Sequence, residues 1–122
     1  MTVSRRLVVK CTAGAEEPER CAQAFTVAST ALAAGAAVSL WLTGASVWLA
    51  VAGRAEQFEL PHSAPLAALR DAVLADGTLT VCTQCAARRG LGPDDLLPGV
   101  RIAGSASFVD EILDTDVQAL VY

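Results

Sequence analysis

Short apolar runs alternate along this chain with longer stretches in which apolar positions return every three or four residues. The first run, Leu7-Val8-Val9 within Arg6 to Cys11, reads as a buried strand. Thr12-Ala13-Gly14-Ala15 then marks a turn. Glu16, Glu17 and Glu19 around Pro18 are the acidic and proline signals of a helix start. Cys21, Phe25, Ala28 and Leu32 make one apolar stripe on that helix, which is expected to run to about Ala34 and stop at Gly35. Ala37 to Leu42 reads as a second strand, ended by Thr43-Gly44, and a short helix follows from Ala45 to Ala52. Gly53 to Pro65 is a loop of 13 residues, long for a compact domain, and such loops often serve as lids. From Pro65 a helix carries Leu66, Leu69, Val73 and Leu74 inward and ends at Asp76-Gly77. Thr78 to Val81 is a third strand, and it runs directly into Cys82.

Beyond Cys82, Ala86-Ala87-Arg88-Arg89 has helical propensity, with Gly90 placed to end the segment. Gly92-Pro93-Asp94-Asp95 marks a turn and a helical bend through Leu97, and Pro98-Gly99 marks another turn. Val100 to Ala103 reads as a fourth strand and Gly104 to Ser107 as a turn and helix start. Phe108, Val109, Ile112 and Leu113 give the last helix its apolar stripe. Val117 to Tyr122 is a fifth strand. Strands alternating with helices predict an α/β fold, a three-layer α/β/α arrangement around a mostly parallel five-stranded sheet. No repeat, linker or low-complexity segment divides the chain, so one domain over residues 1–122 is expected. The pattern leaves the strand order open. Reactive groups of such sheets gather at the carboxyl ends of the strands, so Cys11 and Cys82 are expected to open on one sheet edge.

Composition narrows the class. Of the 122 residues 53% are hydrophobic and 18% charged, which excludes a disordered chain. The net charge of −4 provides no electrostatic footprint for a nucleic-acid backbone, and none is expected as a direct partner. Cys21 to Gly53 contains no charged residue, long enough for a membrane span of about 20 residues. Gln23, Thr26, Ser29 and Thr30 interrupt its first half, and the second half suits a strand buried on both faces, so no membrane segment is expected. The opening apolar run is too short for a signal peptide and Lys10 closes it, which points to the cytoplasm. There, cysteines are more often catalytic or metal-binding than disulfide-bonded.

The four cysteines therefore carry the candidate chemistry. Cys82-Thr83-Gln84-Cys85 lies where a strand meets a helix start, and free N–H groups there favour a thiolate at Cys82. The plainer reading is a pair of small buried residues. C-x-x-C at a helix start is also the arrangement of dithiol–disulfide exchange, with Cys82 attacking and Cys85 resolving. Cys11, Cys21, Cys82 and Cys85 could together close a tetrahedral zinc site, although only one pair has the usual spacing, and Cys21 alone suits a packed structural thiol. His62, in the long loop, could cover the site as a proton donor or acceptor, or simply be exposed. No Gly-x-Ser-x-Gly elbow, Gly-x-Gly-x-x-Gly or Walker-type loop occurs, and no cofactor is expected.

Cys82 followed by seven residues, mostly small, ending in Arg88-Arg89 and then Gly90, resembles the active-site segment of the DsrE-like proteins, a group that includes the TusD subunit of the tRNA-thiolation sulfur relay. The resemblance extends to chain length and strand–helix order. It implies a sulfurtransferase-like carrier in which Cys82 accepts sulfane sulfur as a persulfide and passes it to a partner cysteine. It also implies sulfur donor and acceptor proteins as partners and a homo-oligomer, a trimer or hexamer. Arg88 and Arg89 match the family's spacing and could add positive potential, or be solvated surface residues. Cys85 stands where sulfur-relay members carry a small residue such as alanine. This leaves persulfide relay and dithiol redox chemistry both open, and they can coexist if Cys85 resolves a Cys82 persulfide.

Overall fold

The computed structural model describes residues 5–122; residues 1–4, with which the expectation of no signal peptide begins, lie outside the described residues. The strands are β1 (Arg6–Cys11), β2 (Ala37–Leu42), β3 (Thr78–Cys82), β4 (Arg101–Ala103) and β5 (Val117–Val121). The helices are α1 (Pro18–Ala33), α2 (Leu66–Asp76), α3 (Thr83–Arg88) and α4 (Ser105–Ile112). The expected short helix after β2 is a 3-10 segment, Gly44–Ala50, and a further one, Ala55–Gln57, lies inside the long loop. β4 begins one residue later than the apolar run, because the Val100 N–H closes a turn onto Leu97 instead of joining the ladder.

All the strand pairs are parallel, in the order β4-β3-β2-β1-β5. The chain steps in one direction from β1 to β4 and then returns across the sheet to β5. Right-handed crossovers put α1 and α2 on one face and the returning α4 on the other. This is the three-layer α/β fold.

Register and strand alternation decide what each face carries. Val9, Cys11, Leu40, Leu42, Leu79 and Val81 point to the α1 side and are fully buried beneath Cys21, Phe25 and Ala28 of α1 and Val73 of α2. Burying each large apolar side chain there contributes about 1.5–3 kcal/mol, so this face holds most of the hydrophobic stabilisation.

The opposite face carries Lys10, Ser39, Trp41, Thr80 and Arg101, and α4 packs on it. Glu111 of α4 accepts hydrogen bonds from Ser39 Oγ at 2.6 Å and Trp41 Nε1 at 3.3 Å, and it also pairs with Arg101. Arg101 Nε in turn donates to Thr80 Oγ1 at 2.9 Å. Phe108 meets Trp41 edge-on with ring centroids 5.3 Å apart, and Lys10 Nζ sits 4.9 Å above the Phe108 ring. α4 is thus held by one carboxylate and one aromatic ring. Its expected apolar stripe is only partly covered: Val109 and Leu113 stay exposed, as do Leu120 and Val121 on the edge strand β5.

The long loop is tied down from α2. Arg70, 3% exposed, donates to both carboxylate oxygens of Glu56, at 2.9 and 3.1 Å, and to Asp71 at 3.0 Å. Among the described residues, no helix is long and apolar enough to cross a membrane.

Candidate functional site

β3 is buried up to Val81, and its last residue, Cys82, emerges half-buried as the N-cap of α3 with extended backbone (φ −63°, ψ 128°). The strand ends there because Thr83 to Arg88 takes up helical geometry. α3 stops at Gly90, whose φ of +69° is one glycine accepts without strain, and the Leu91 N–H returns to the Ala86 carbonyl at 2.9 Å.

Partial burial is the largest single influence on the Cys82 thiol and raises its pKa. The Cys85 N–H, the Cys85 thiol, the Gln84 N–H and the charge of Lys10 act the other way and together bring it below the ordinary thiol value. In its neutral form Cys82 donates to Gln84 Oε1 at 3.5 Å.

Cys85 is the third residue of α3, so its side chain turns back toward the N-cap position. It is 8% exposed. Its sulfur accepts a hydrogen bond from the Gly44 N–H at 3.2 Å, and Arg88 Nη1 stands 3.9 Å away. Gly44 has φ +58°, and a Cβ there would lie 3.0 Å from the Thr12 carbonyl oxygen. Glycine is therefore required for the turn after β2 to lay its N–H on Cys85. Arg89 Nη1 donates to the Cys85 carbonyl at 3.0 Å, while Arg88 is exposed. The turn after β4 completes the rim: a Cβ on Gly104 would stand 3.9 Å from both Gln84 Oε1 and Thr83 Oγ1.

Lys10 is the residue that sequence reasoning missed. It reads there only as the end of the first apolar run. Register sets Lys10 beside Trp41 and Trp41 beside Thr80, two residues before Cys82 on the same face. The signal in the sequence is alternation within β1 and β3, which becomes usable only once the strand order is known.

The expected convergence of Cys11 with Cys82 is corrected. Both end strands at one sheet edge, but alternation turns Cys11 to the α1 face, where it is fully buried with Cys21. Cys11 Sγ donates to the Ala13 carbonyl at 3.2 Å. Hydrogen bonding to the Cys11 sulfur, then burial, pushes the Cys21 thiol pKa up, as expected of a packed structural thiol. The zinc site from all four cysteines is corrected for the same reason. The cysteines divide into two pairs, and among the described residues no group of three or more His, Cys, Asp or Glu side chains could hold a metal ion. His62 is exposed, with φ +65°, and is not among the hydrogen-bond partners of either Cys82 or Cys85.

A cavity of about 890 Å³ lies at the other end of the sheet, lined by Arg6, Leu7, Ala34, Gly35, Asp116 and Val117 among others, and by none of the cysteines. Cys82 instead sits on an open edge. This arrangement offers an accessible, acidified thiol with a buried second thiol beneath it. It is suited to sulfur–sulfur exchange at the surface.

The model of the DsrE/DsrF-like family matches residues 5–118. Among solved structures, the chain is similar to the ychN protein from E. coli, with a TM-score of 0.76, 15% identity, and coverage of 98% of this chain and 100% of that one. It is also similar to the protein of unknown function MTH1491 from Methanobacterium thermoautotrophicum, with a TM-score of 0.72, 12% identity and the same coverage. At these identities the likeness is one of fold. No curated protein matches the chain.

Proposed function

The chain belongs to the DsrE/DsrF-like family, and on that premise we propose that it is a sulfur carrier that holds sulfane sulfur as a persulfide on Cys82. The observation that carries this reading is the half-exposed Cys82 thiol with its lowered pKa at the carboxyl edge of the sheet. The thiolate attacks the outer sulfur of a donor persulfide; a sulfur–sulfur bond forms at Cys82 and the donor leaves as its own thiolate. An acceptor thiolate then takes the same sulfur and restores the Cys82 thiolate. Neither step needs an external oxidant. The groups that stabilise the Cys82 anion improve it as a leaving group in the second step.

The partners of this reading are proteins that give and take sulfane sulfur at exposed cysteines. A homo-oligomer belongs to the proposal too, and the exposed apolar residues of α4 and β5 support it. A second reading, dithiol–disulfide exchange between Cys82 and Cys85, is favoured by their placement at the N-cap and the third residue of α3.

Intact mass spectrometry after exposure to a persulfide donor tests the carrier. Cys85→Ser is expected to gain one sulfur atom and Cys82→Ser none. A Cys85→Ser protein that never holds added sulfur would sink the carrier reading. A wild type that cycles only between dithiol and disulfide would then favour the exchange reading.

A further inference from the structure

We propose that the protein also discharges its own persulfide: Cys85 attacks Cys82 Sγ, the outer sulfur leaves as hydrosulfide, and a Cys82–Cys85 disulfide remains. The proposal rests on the persulfide reading above and extends it to a second outcome, release of inorganic sulfide when no acceptor arrives.

Position argues for it first. Cys82 is the N-cap of α3 and Cys85 its third residue, positions whose side chains face one another across the first turn. Residues three apart on a helix have Cβ atoms about 5–6 Å apart, close enough for a disulfide after a small adjustment.

Access argues for it next. Cys85 is buried, so a macromolecular acceptor or donor cannot reach it; the sulfur within its own reach is Cys82 Sγ. The Gly44 N–H at 3.2 Å and the Arg88 guanidinium at 3.9 Å lie against the Cys85 sulfur and restrain it. The outer persulfide sulfur, in contrast, extends from a half-exposed residue toward solvent, where hydrosulfide can leave.

The step balances. A deprotonated Cys82 persulfide and the Cys85 thiol become a disulfide and hydrosulfide. The bond between Cys82 Sγ and the outer sulfur breaks, that between Cys82 Sγ and Cys85 Sγ forms, and the Cys85 proton goes with the departing sulfur. The Cys85 sulfur is oxidised and the outer sulfur reduced, so the persulfide itself is the oxidant. A dithiol reductant resets the pair for another round. Because the attack is intramolecular, it competes with any acceptor at a high effective concentration.

The test uses wild type, Cys85→Ser and Cys85→Ala, each loaded with inorganic polysulfide, desalted and kept without an acceptor thiol. Trapping with monobromobimane follows released sulfide while intact mass follows the protein. Wild type is expected to release one sulfide per chain and settle two hydrogens lighter than its reduced form. Both Cys85 variants should retain the added sulfur and release sulfide at least about tenfold more slowly, since they lose an intramolecular nucleophile. Equal retention by wild type and the loaded variants, or sulfide released without a disulfide, overturns this proposal and leaves the carrier standing. Failure of both Cys85 variants to load at all overturns the carrier reading, and this proposal with it.

Discussion

Lys10 and Cys82 stand on the same face of the sheet, two strands apart, with Trp41 between them. Stacking on Phe108 holds the ammonium group over that face, and its charge favours the Cys82 thiolate. Replacing Lys10 with Met keeps most of the stem and removes the charge. The pH midpoint of Cys82 alkylation, measured against the Cys82→Ser background, should therefore move upward in Lys10→Met. An unchanged midpoint would remove Lys10 from the site.

Glu111 collects three donors from three different strand positions, Ser39, Trp41 and Arg101. Glu111→Ala should destabilise the fold by about 1–3 kcal/mol, because the Ser39 and Trp41 donors beneath α4 lose their acceptor. Urea unfolding reads that loss. Burial is the largest influence on the Glu111 carboxyl and raises its pKa, but Ser39, Arg101 and Trp41 together lower it below the usual carboxylate range. A folded pKa depressed in this way adds stability at and above the ordinary glutamate range. That stability is lost as pH falls through the folded value. The difference between wild type and Glu111→Ala should accordingly shrink in acid.

Gly44→Ala would place a Cβ 3.0 Å from the Thr12 carbonyl in a backbone conformation of φ +58°. The expected cost is about 1–3 kcal/mol by thermal or urea unfolding. The substitution should also speed alkylation of Cys85 in the folded protein, since the turn that covers its sulfur has to shift. A stable variant with Cys85 still protected would show that this turn does not hold the thiol.

Leu113 is 77% exposed and Val121 65%, unusual positions for large apolar side chains. If copies of the chain associate through this side, Leu113→Glu together with Val121→Lys should reduce the mass seen by light scattering and leave the circular dichroism spectrum unchanged. Wild type that is monomeric at all accessible concentrations would dispose of the oligomer.

Much of this architecture is legible in the residues. β1 and β2 are readable to their ends because each is an apolar run closed by a turn residue, and α1 because Pro18 opens it and Gly35 follows it with φ +93°. Cys82 at the junction of β3 and α3 is readable for the same reason. The rest needs long-range information. Whether Cys11 and Cys82 face each other depends on inter-strand register, which no local period contains. The stripe on α4 shows that Phe108, Val109 and Ile112 are apolar, but not that one carboxylate and one ring do most of the docking. Arg70 looks like any charged helix residue; its burial follows from Glu56, 14 positions earlier in the chain.

The strand order has a consequence for synthesis. β5 pairs with β1, Arg6 lying beside Val117, so these two neighbours are made more than 100 residues apart. While the chain is growing on the ribosome, β1 can gain β2 as a partner but keeps its other edge unpaired until β5 emerges. Such an edge is a template for pairing with another chain. The period of greatest aggregation risk therefore ends only when β5 pairs with β1, and a chain cut before Val117 would retain that open edge permanently.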